Sequence, residues 1–461
     1  MLNRGFHLLP MRPFQCRRSS RLTHWSASGL AVLLLGTLAA PSLAQDASAP
    51  VERPAEPAAE PPAGVPIIPE LPPEPPTNGE LVNPLELRQP DPLLPTMVLD
   101  RPLNPQERAV LQTALDELQR QGQAALEAGD LPGALALWNR ELRLRRFLGP
   151  QAEIASLARV GEVAWRQSQT SELRFITLRL EQIEQELTGE PVAGAGTTPA
   201  SEAAVNSAAA NYDVLLSLAQ AYQAVRAKDR AVALYEKLLV QAQQQQDTVR
   251  QQQLLSTVAE LHLGWFDYTE AANAYERLLV LSRAARDSAT EIVALQKLAA
   301  IYQDSNQPEP AIAAQQQLVE VYQKQQNLAP IPALKLAIGD NYVALNRPDL
   351  AATSYQEAFA VARSVQQLAY ASDALQRLAS LYQSLNRLDD ALIVYQLLLD
   401  VERQSYNSYG QMNTYAQIGQ LHATRGESSQ ALAAFQQGLQ IAQQLNYKVD
   451  FFNARIQEMM Q

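Results

Sequence analysis

The sequence predicts an all-α solenoid of stacked helical hairpins, and three observations carry that prediction. First, Ala231, Ala271, Ala311, Ala351, Ala391 and Ala431 stand forty residues apart without a slip. Second, the same neighbours recur around each alanine. Twelve residues earlier comes a small residue (Ala219, Ala259, Ala299, Gly339, Ala379, Gly419), and three after that a ring (Tyr222, His262, Tyr302, Tyr342, Tyr382, His422). Four beyond the alanine stand Tyr235, Tyr275, Gln315, Tyr355, Tyr395 and Phe435. Third, hydrophobic residues make up 47% of the chain but aromatics only 6%, with Ala, Leu and Gln dominating, which suits a long helical core rather than a sheet. A period of this length is the mark of a repeat array.

In chain order, residues 1–44 read as an export signal. Arg4, Arg12, Arg17, Arg18 and Arg21 precede an apolar stretch from Gly29 to Ala40, and Ser42-Leu43-Ala44 offers small residues where a signal peptidase reads. Cleavage is expected after Ala44, with translation from Met1 or Met11, and the mature chain is expected in the periplasm or outside the cell. The Arg17-Arg18 pair, followed by Ser19-Ser20-Arg21-Leu22, fits general secretion better than twin-arginine export. Cys16 leaves with the signal, so no thiol chemistry is expected of the mature chain. Residues 45–104 hold most of the chain's prolines and read as a Pro-rich, disordered tether, although its second half, LVNPLELRQPDPLLPTMVLD, is apolar enough to dock on the first hairpins.

Helix begins with Asn104 as N-cap, Pro105 in the first turn and Glu107 placed to answer the cap. Residues 105–187 form two hairpins, the first marked by Gly122, Gly129, Ala134 and Trp138, the second, more degenerate, by Gly161 and Trp165. Residues 188–207 (TGEPVAGAGTTPASEAAVNS begins here) lack helical period and read as a flexible loop, expected to be cut first by protease. Residues 208–447 supply six forty-residue units. In the first, Leu215, Leu218, Ala219, Tyr222 and Val225 share one helix face and Ala231, Leu234, Tyr235, Leu238 and Leu239 the next, with a turn between them. One hairpin cannot bury that face alone, so neighbouring units share it. Residues 448–461 are too apolar for a free tail and predict a capping helix with Phe452, Ile456 and Met459 on one face.

The runs LAQAYQAVRAKDRAVALYEKLL and LASLYQSLNRLDDALIVYQLLL resemble the tetratricopeptide repeat, in the longer-helix form of kinesin light chain and related adaptors. The resemblance covers the chain from about Asn104 onward and implies a right-handed superhelical solenoid whose first helices line a concave groove that binds a protein or peptide. It implies that the residue after each small packing residue faces that groove: Gln220, Glu260, Ala300, Asp340, Ser380 and Gln420. Three residues on come Gln223, Leu263, Gln303, Val343, Gln383 and Ala423. Lys297 and Arg377 are the cations expected near this face. The family's carboxylate clamp needs repeated Asn and paired Lys, which are missing here, so a polar or partly basic segment is the expected partner.

Chemistry is otherwise sparse. His262 and His422 replace Tyr in the ring column four units apart and read as packing residues. No phosphate loop, H-E-x-x-H or G-x-S-x-G motif occurs, and Asp389-Asp390 sit where a helix N-terminus favours acids. No catalytic group, metal site or cofactor is expected. Losing the signal removes five basic residues and leaves 32 basic against 48 acidic, which argues against nucleic acid; Arg140, Arg143, Arg145 and Arg146 read as one solvated helix face. The function expected is that of a non-catalytic interaction scaffold in the cell envelope. An envelope-assembly component anchored by a retained signal is the alternative; an all-helical hydrolase would need paired acids with shifted pKa values on adjacent inner helices.

Overall fold

The structure, a computed structural model, describes residues 83–87, 90–94, 101–188 and 208–460. The signal, most of the tether and residues 189–207 fall outside these ranges. Among the described residues there are seventeen α-helices and no strand. The N-terminal pairs are α1 (Pro105–Glu127) with α2 (Leu131–Arg145), and α3 (Pro150–Arg166) with α4 (Thr170–Thr188). The regular array follows as α5 (Ala208–Ala224), α6 (Lys228–Gln244), α7 (Thr248–Leu263), α8 (Tyr268–Ala285), α9 (Ser288–Asp304) and α10 (Pro308–Lys324). It continues through α11 (Ile331–Ala344), α12 (Pro348–Ser364), α13 (Leu368–Ser384), α14 (Leu388–Gln404), α15 (Ser408–Thr424) and α16 (Ser428–Leu445), and closes on α17 (Val449–Met460).

Each connection is made the same way. From Arg226 to Asn446 every twentieth residue has a positive φ, whether it is Arg226, Gln246, Phe266, Asn306, Tyr406 or Gly426. The residue after it donates its N–H back to the carbonyl five residues earlier, as Gln307 does to Tyr302 at 2.7 Å and Asn327 to Tyr322 at 2.9 Å, while Asn306 itself donates to Gln303 at 3.0 Å. These paired bonds satisfy carbonyls the helix end would otherwise strand, and from α5 to α16 the residue after the kink already caps the following helix, except before α11, where the cap is Pro330. At Asp247, Asp267 and Asp287 the cap is the side-chain carboxylate.

The small-residue column works by close approach. A Cβ on Gly339 would lie 2.6 Å from Tyr355 Cδ1, and one on Gly419 2.7 Å from Phe435 Cδ1, each partner sixteen residues on. Gly122 stands in the same relation to Trp138, 2.6 Å from its Cδ1, so the first N-terminal pair keeps the register of the array. Ala231, Ala271, Ala311, Ala351, Ala391 and Ala431 are all fully buried. One core runs from Leu85 to Ile338 and a second from Leu336 to Ala434. The stretch 189–207 does not interrupt packing: α3 and α4 both lie against α5, and Tyr222 donates to Glu184 Oε2 at 2.9 Å.

Both ends of the array are covered. At the C-terminus, Phe452 of α17 is fully buried beside Met412, Phe435 and Ala442, with Ile456 and Met459 packed around it. At the N-terminus the expectation of a solvated arginine face needs correcting. Residues 83–87 and 90–94 lie against α2, as the apolar second half of the tether allowed: Leu85 is buried, Arg140 forms a buried ion pair with Asp91 at 2.9 Å, and Arg143 and Arg146 donate to the carbonyls of Pro84 and Leu85. Arg145, also buried, pairs with Glu141 at 3.1 Å and Asp116 at 2.8 Å. The run of four arginines reads as a charged face because, Glu141 apart, these partners lie 29 or more residues away in sequence.

Candidate binding groove

The helices that open each hairpin, α5, α7, α9, α11, α13 and α15, turn one polar row outward. Gln220, Glu260, Ala300, Asp340, Ser380 and Gln420 are all exposed, because each follows a buried small residue by one position. In the second row Gln223, Gln303 and Val343 are exposed, while Leu263, Gln383 and Ala423 are half-buried.

The rows are tied to the helices behind them. The rings of Tyr235, Tyr275, Tyr355 and Tyr395 are buried, and their hydroxyls emerge at the groove. Tyr235 donates to Gln223 Oε1 at 3.1 Å, Tyr275 to Glu260 Oε1 at 2.6 Å, Tyr355 to Asp340 Oδ1 at 2.7 Å and Tyr395 to Gln383 Oε1 at 2.8 Å. Burial raises these phenols, Tyr235 to about 12, and at Tyr275 and Tyr355 the accepting carboxylate raises them further, so they stay protonated donors.

Lys297 and Arg377 each pair with an acid of the exposed row. Lys297 Nζ is 2.7 Å from Glu260 Oε1, joining α9 to α7, and Arg377 pairs with Asp340, joining α13 to α11. Glu260 shows the consequence: burial opposes its charge, but the Lys297 ammonium and the Tyr275 hydroxyl prevail and hold it below the ordinary carboxylate range. The remaining polar residues of the two rows are amides and one hydroxyl, interspersed with Leu263, Ala300, Val343 and Ala423.

Between α13 and α15 lies a cavity of about 990 Å³, lined by Ser372, Asp373, Gln376, Asn413 and Gln417 among others. A second hollow of about 480 Å³, between α11 and α13, shares Asp373, Gln376 and Ser380 with it. Of the residues expected to face a partner, only Ser380 lines the larger cavity. The residues that shape it were missed because they stand in columns with no fixed residue: Ser372 aligns with Gln252, Ile292 and Pro332, and Gly410 with Arg250, Thr290, Pro330 and Tyr370. The repeat therefore gave no signal at these two positions.

The two histidines have partners inside their own hairpins. His262 Nδ1 is 3.0 Å from Asp267 and His422 Nδ1 hydrogen-bonds Glu427, each reaching the cap of the next helix. No group of three or more His, Cys, Asp or Glu gathers as for a metal ion among the described residues. No described helix is long and apolar enough to cross a membrane.

Fold and groove together define a helical-hairpin repeat protein with a ligand-accessible inner face. Tetratricopeptide repeats are detected in it: that family matches residues 370–444 and again 214–249. No curated protein matches the chain. Solved structures that resemble it include the MamA protein, 19% identical over 42% of this chain and 92% of that one with a TM-score of 0.31. The signal-transduction ATPase with a tetratricopeptide repeat sensor from Pyrococcus horikoshii is 12% identical over 77% and 50%, TM-score 0.36, and the apo form of RapI 10% identical over 75% and 97%, TM-score 0.34. At these values the likenesses bear on nothing beyond repeat architecture.

Proposed function

We propose that the chain is an exported, non-catalytic scaffold of a bacterial envelope, of Gram-negative or cyanobacterial type, which holds an extended polar or basic protein segment in its groove. The observation that carries this reading is the state of the groove's cations. Lys297 and Arg377 are paired with Glu260 and Asp340, so neither cation is left to grip an anionic ligand, and the neutral amides and hydroxyls beside them suit a segment that brings its own N–H and ammonium groups. A carboxylate-tailed peptide would have to break those pairs. The same pairing speaks against hydrolysis, since Glu260 and Asp340 lie on α7 and α11 with α9 between them, and each is occupied by a cation. The forty-residue spacing supports the long-helix form of the repeat, and the acidic balance argues against nucleic acid.

Capture from an envelope fraction by the immobilised mature chain tests the reading. Wild type should retain a protein that Glu260→Gln combined with Asp340→Asn retains poorly; equal retention by both would refute the groove as its site. Mass spectrometry of the native protein's N-terminal peptide should find it beginning at Gln45, as glutamine or its pyroglutamate. A native chain that keeps residues 1–44 would replace the free scaffold by the anchored alternative.

A further inference from the structure

The wall of the cavity between α13 and α15 contains a buried acid with no counterpart elsewhere in the array. Glu402, in α14, is 4% exposed, and the corresponding positions forty residues apart hold Ala242, Ser282, Tyr322, Ala362 and Ala442. Its Oε1 accepts from the Ser372 hydroxyl of α13, while its Oε2 has no hydrogen-bond partner, and no cation pairs with it among the described residues. Burying a carboxylate that is half satisfied costs several kcal/mol unless something completes it. The surroundings are fitted to this side chain: a Cβ on Gly410 of α15 would overlap the Glu402 carboxylate. Glu402, Ser372 and Gly410 all line the 990 Å³ cavity, whose wall carries a second acid, Asp373, 3.8 Å from Arg377. Lys448 lies at the cavity too, held by Asn413 Oδ1 at 3.2 Å.

We infer that this cavity is a subsite for a single cationic side chain, a lysine or arginine of the bound segment, whose charged head completes the coordination of Glu402 beside Gly410. The inference rests on the groove reading for the source of the cation. The hydroxyl and amide groups of Ser372, Ser405, Asn407, Asn413 and Gln417 supply acceptors for the remaining N–H bonds, and the Leu368 and Phe451 side chains flank the aliphatic stem.

The test separates the subsite from the groove. Tyr409-Gly410 is the chain's single Tyr-Gly pair, so ¹³C-carbonyl tyrosine with ¹⁵N-glycine labelling of the mature protein isolates the Gly410 amide. Titration with n-butylammonium or n-butylguanidinium should shift that amide saturably, and n-butanol should not. Glu402→Gln, which keeps the shape and removes the charge, should weaken the cation roughly ten- to a hundredfold, the range of a charge-assisted hydrogen bond, without lowering the melting temperature. Glu402→Asp should keep most of the binding. An equal response to butanol, or cation binding unchanged in Glu402→Gln, overturns the subsite. A protein segment captured by a chain whose Gly410 ignores both cations likewise refutes the subsite and spares the groove; cation binding at Gly410 with no captured segment supports the subsite and counts against the groove.

Discussion

Gly438 in α16 and Phe452 in α17 occupy one contact, and the effect of Gly438→Ala should reverse when the Phe452 ring is removed. Phe452 is fully buried, so Phe452→Ala should cost about 3–5 kcal/mol, the range for a large ring removed from a closed site. A Cβ on Gly438 would lie 2.7 Å from Phe452 Cζ. With the ring in place, Gly438→Ala gains about 1 kcal/mol of helix propensity but loses about 1–3 kcal/mol to overpacking, a net cost of about 0–2 kcal/mol. With the ring gone the clash disappears and only the propensity gain remains, so in the Phe452→Ala background Gly438→Ala should stabilise by about 1 kcal/mol. The coupling between the two sites is then about 1–3 kcal/mol. Because neighbouring units share stability, the change should concentrate in α15 to α17, and native-state hydrogen exchange reads it there against α5 to α10 as an internal reference. An identical effect of Gly438→Ala in both backgrounds, or a loss below about 1 kcal/mol for Phe452→Ala, would refute the packing role of the last helix.

Three further outcomes follow from the packing and charges described. Arg140→Ala leaves Asp91 buried without its guanidinium, a loss of about 3–5 kcal/mol that should release residues 83–94 to limited proteolysis; a segment that stays protected would show the ion pair does not hold it. Asp267 is held down to about 2, first by the Lys228 ammonium, against opposing desolvation and with help from His262. A depressed carboxylate contributes stability above its unfolded pKa, about 4, that is lost as pH falls toward 2, so the urea midpoints of wild type and Asp267→Asn should converge between those values, and a constant gap would contradict it. Ala351→Phe should cost about 1–3 kcal/mol in thermal melts, since Ala351 is fully buried; an unchanged melt would remove it from the closest helix approach.

What the sequence disclosed and what it withheld divide along sequence distance. The hairpins were legible because the repeat rewrites the same local pattern: Ala231 and Tyr235 lie one turn apart on a single helix, and their equivalents recur every forty residues. Phe452, Ile456 and Met459 were legible for the same reason. The docking of residues 83–87 and 90–94 was only half legible, because its apolar residues are visible in sequence but Arg140 and Asp91 are 49 residues apart. In the groove, the outward rows could be placed by counting from each small residue, yet the commitment of Lys297 to Glu260 and of Arg377 to Asp340 requires the spacing between neighbouring hairpins. Periodicity places the tyrosine column on the buried helix face, which its rings occupy; that the hydroxyls reach Gln223, Glu260, Asp340 and Gln383 depends on where each ring ends, which a periodic pattern does not encode. Glu402 stayed hidden because the eye follows the columns that hold rather than the one that breaks.

The identical joints between Arg226 and Asn446 bear on how such a chain changes length. Residues as unlike as Arg286, Phe266, Asn386 and Gly426 adopt one kink at the same interval, so the bend is specified by where the helices must stop rather than by the side chain standing there. A gene segment of forty codons copied or lost from any starting point would therefore add or remove one whole pair of helices, with both cut ends already matched to their new neighbours. The pocket around Glu402 sets growth apart from loss: Ser372, Glu402 and Gly410 span fewer than forty residues, so a tandem copy leaves them together in one place, whereas a segment lost across them breaks the set apart. Duplication thus preserves the pocket wherever it falls, and deletion across it does not.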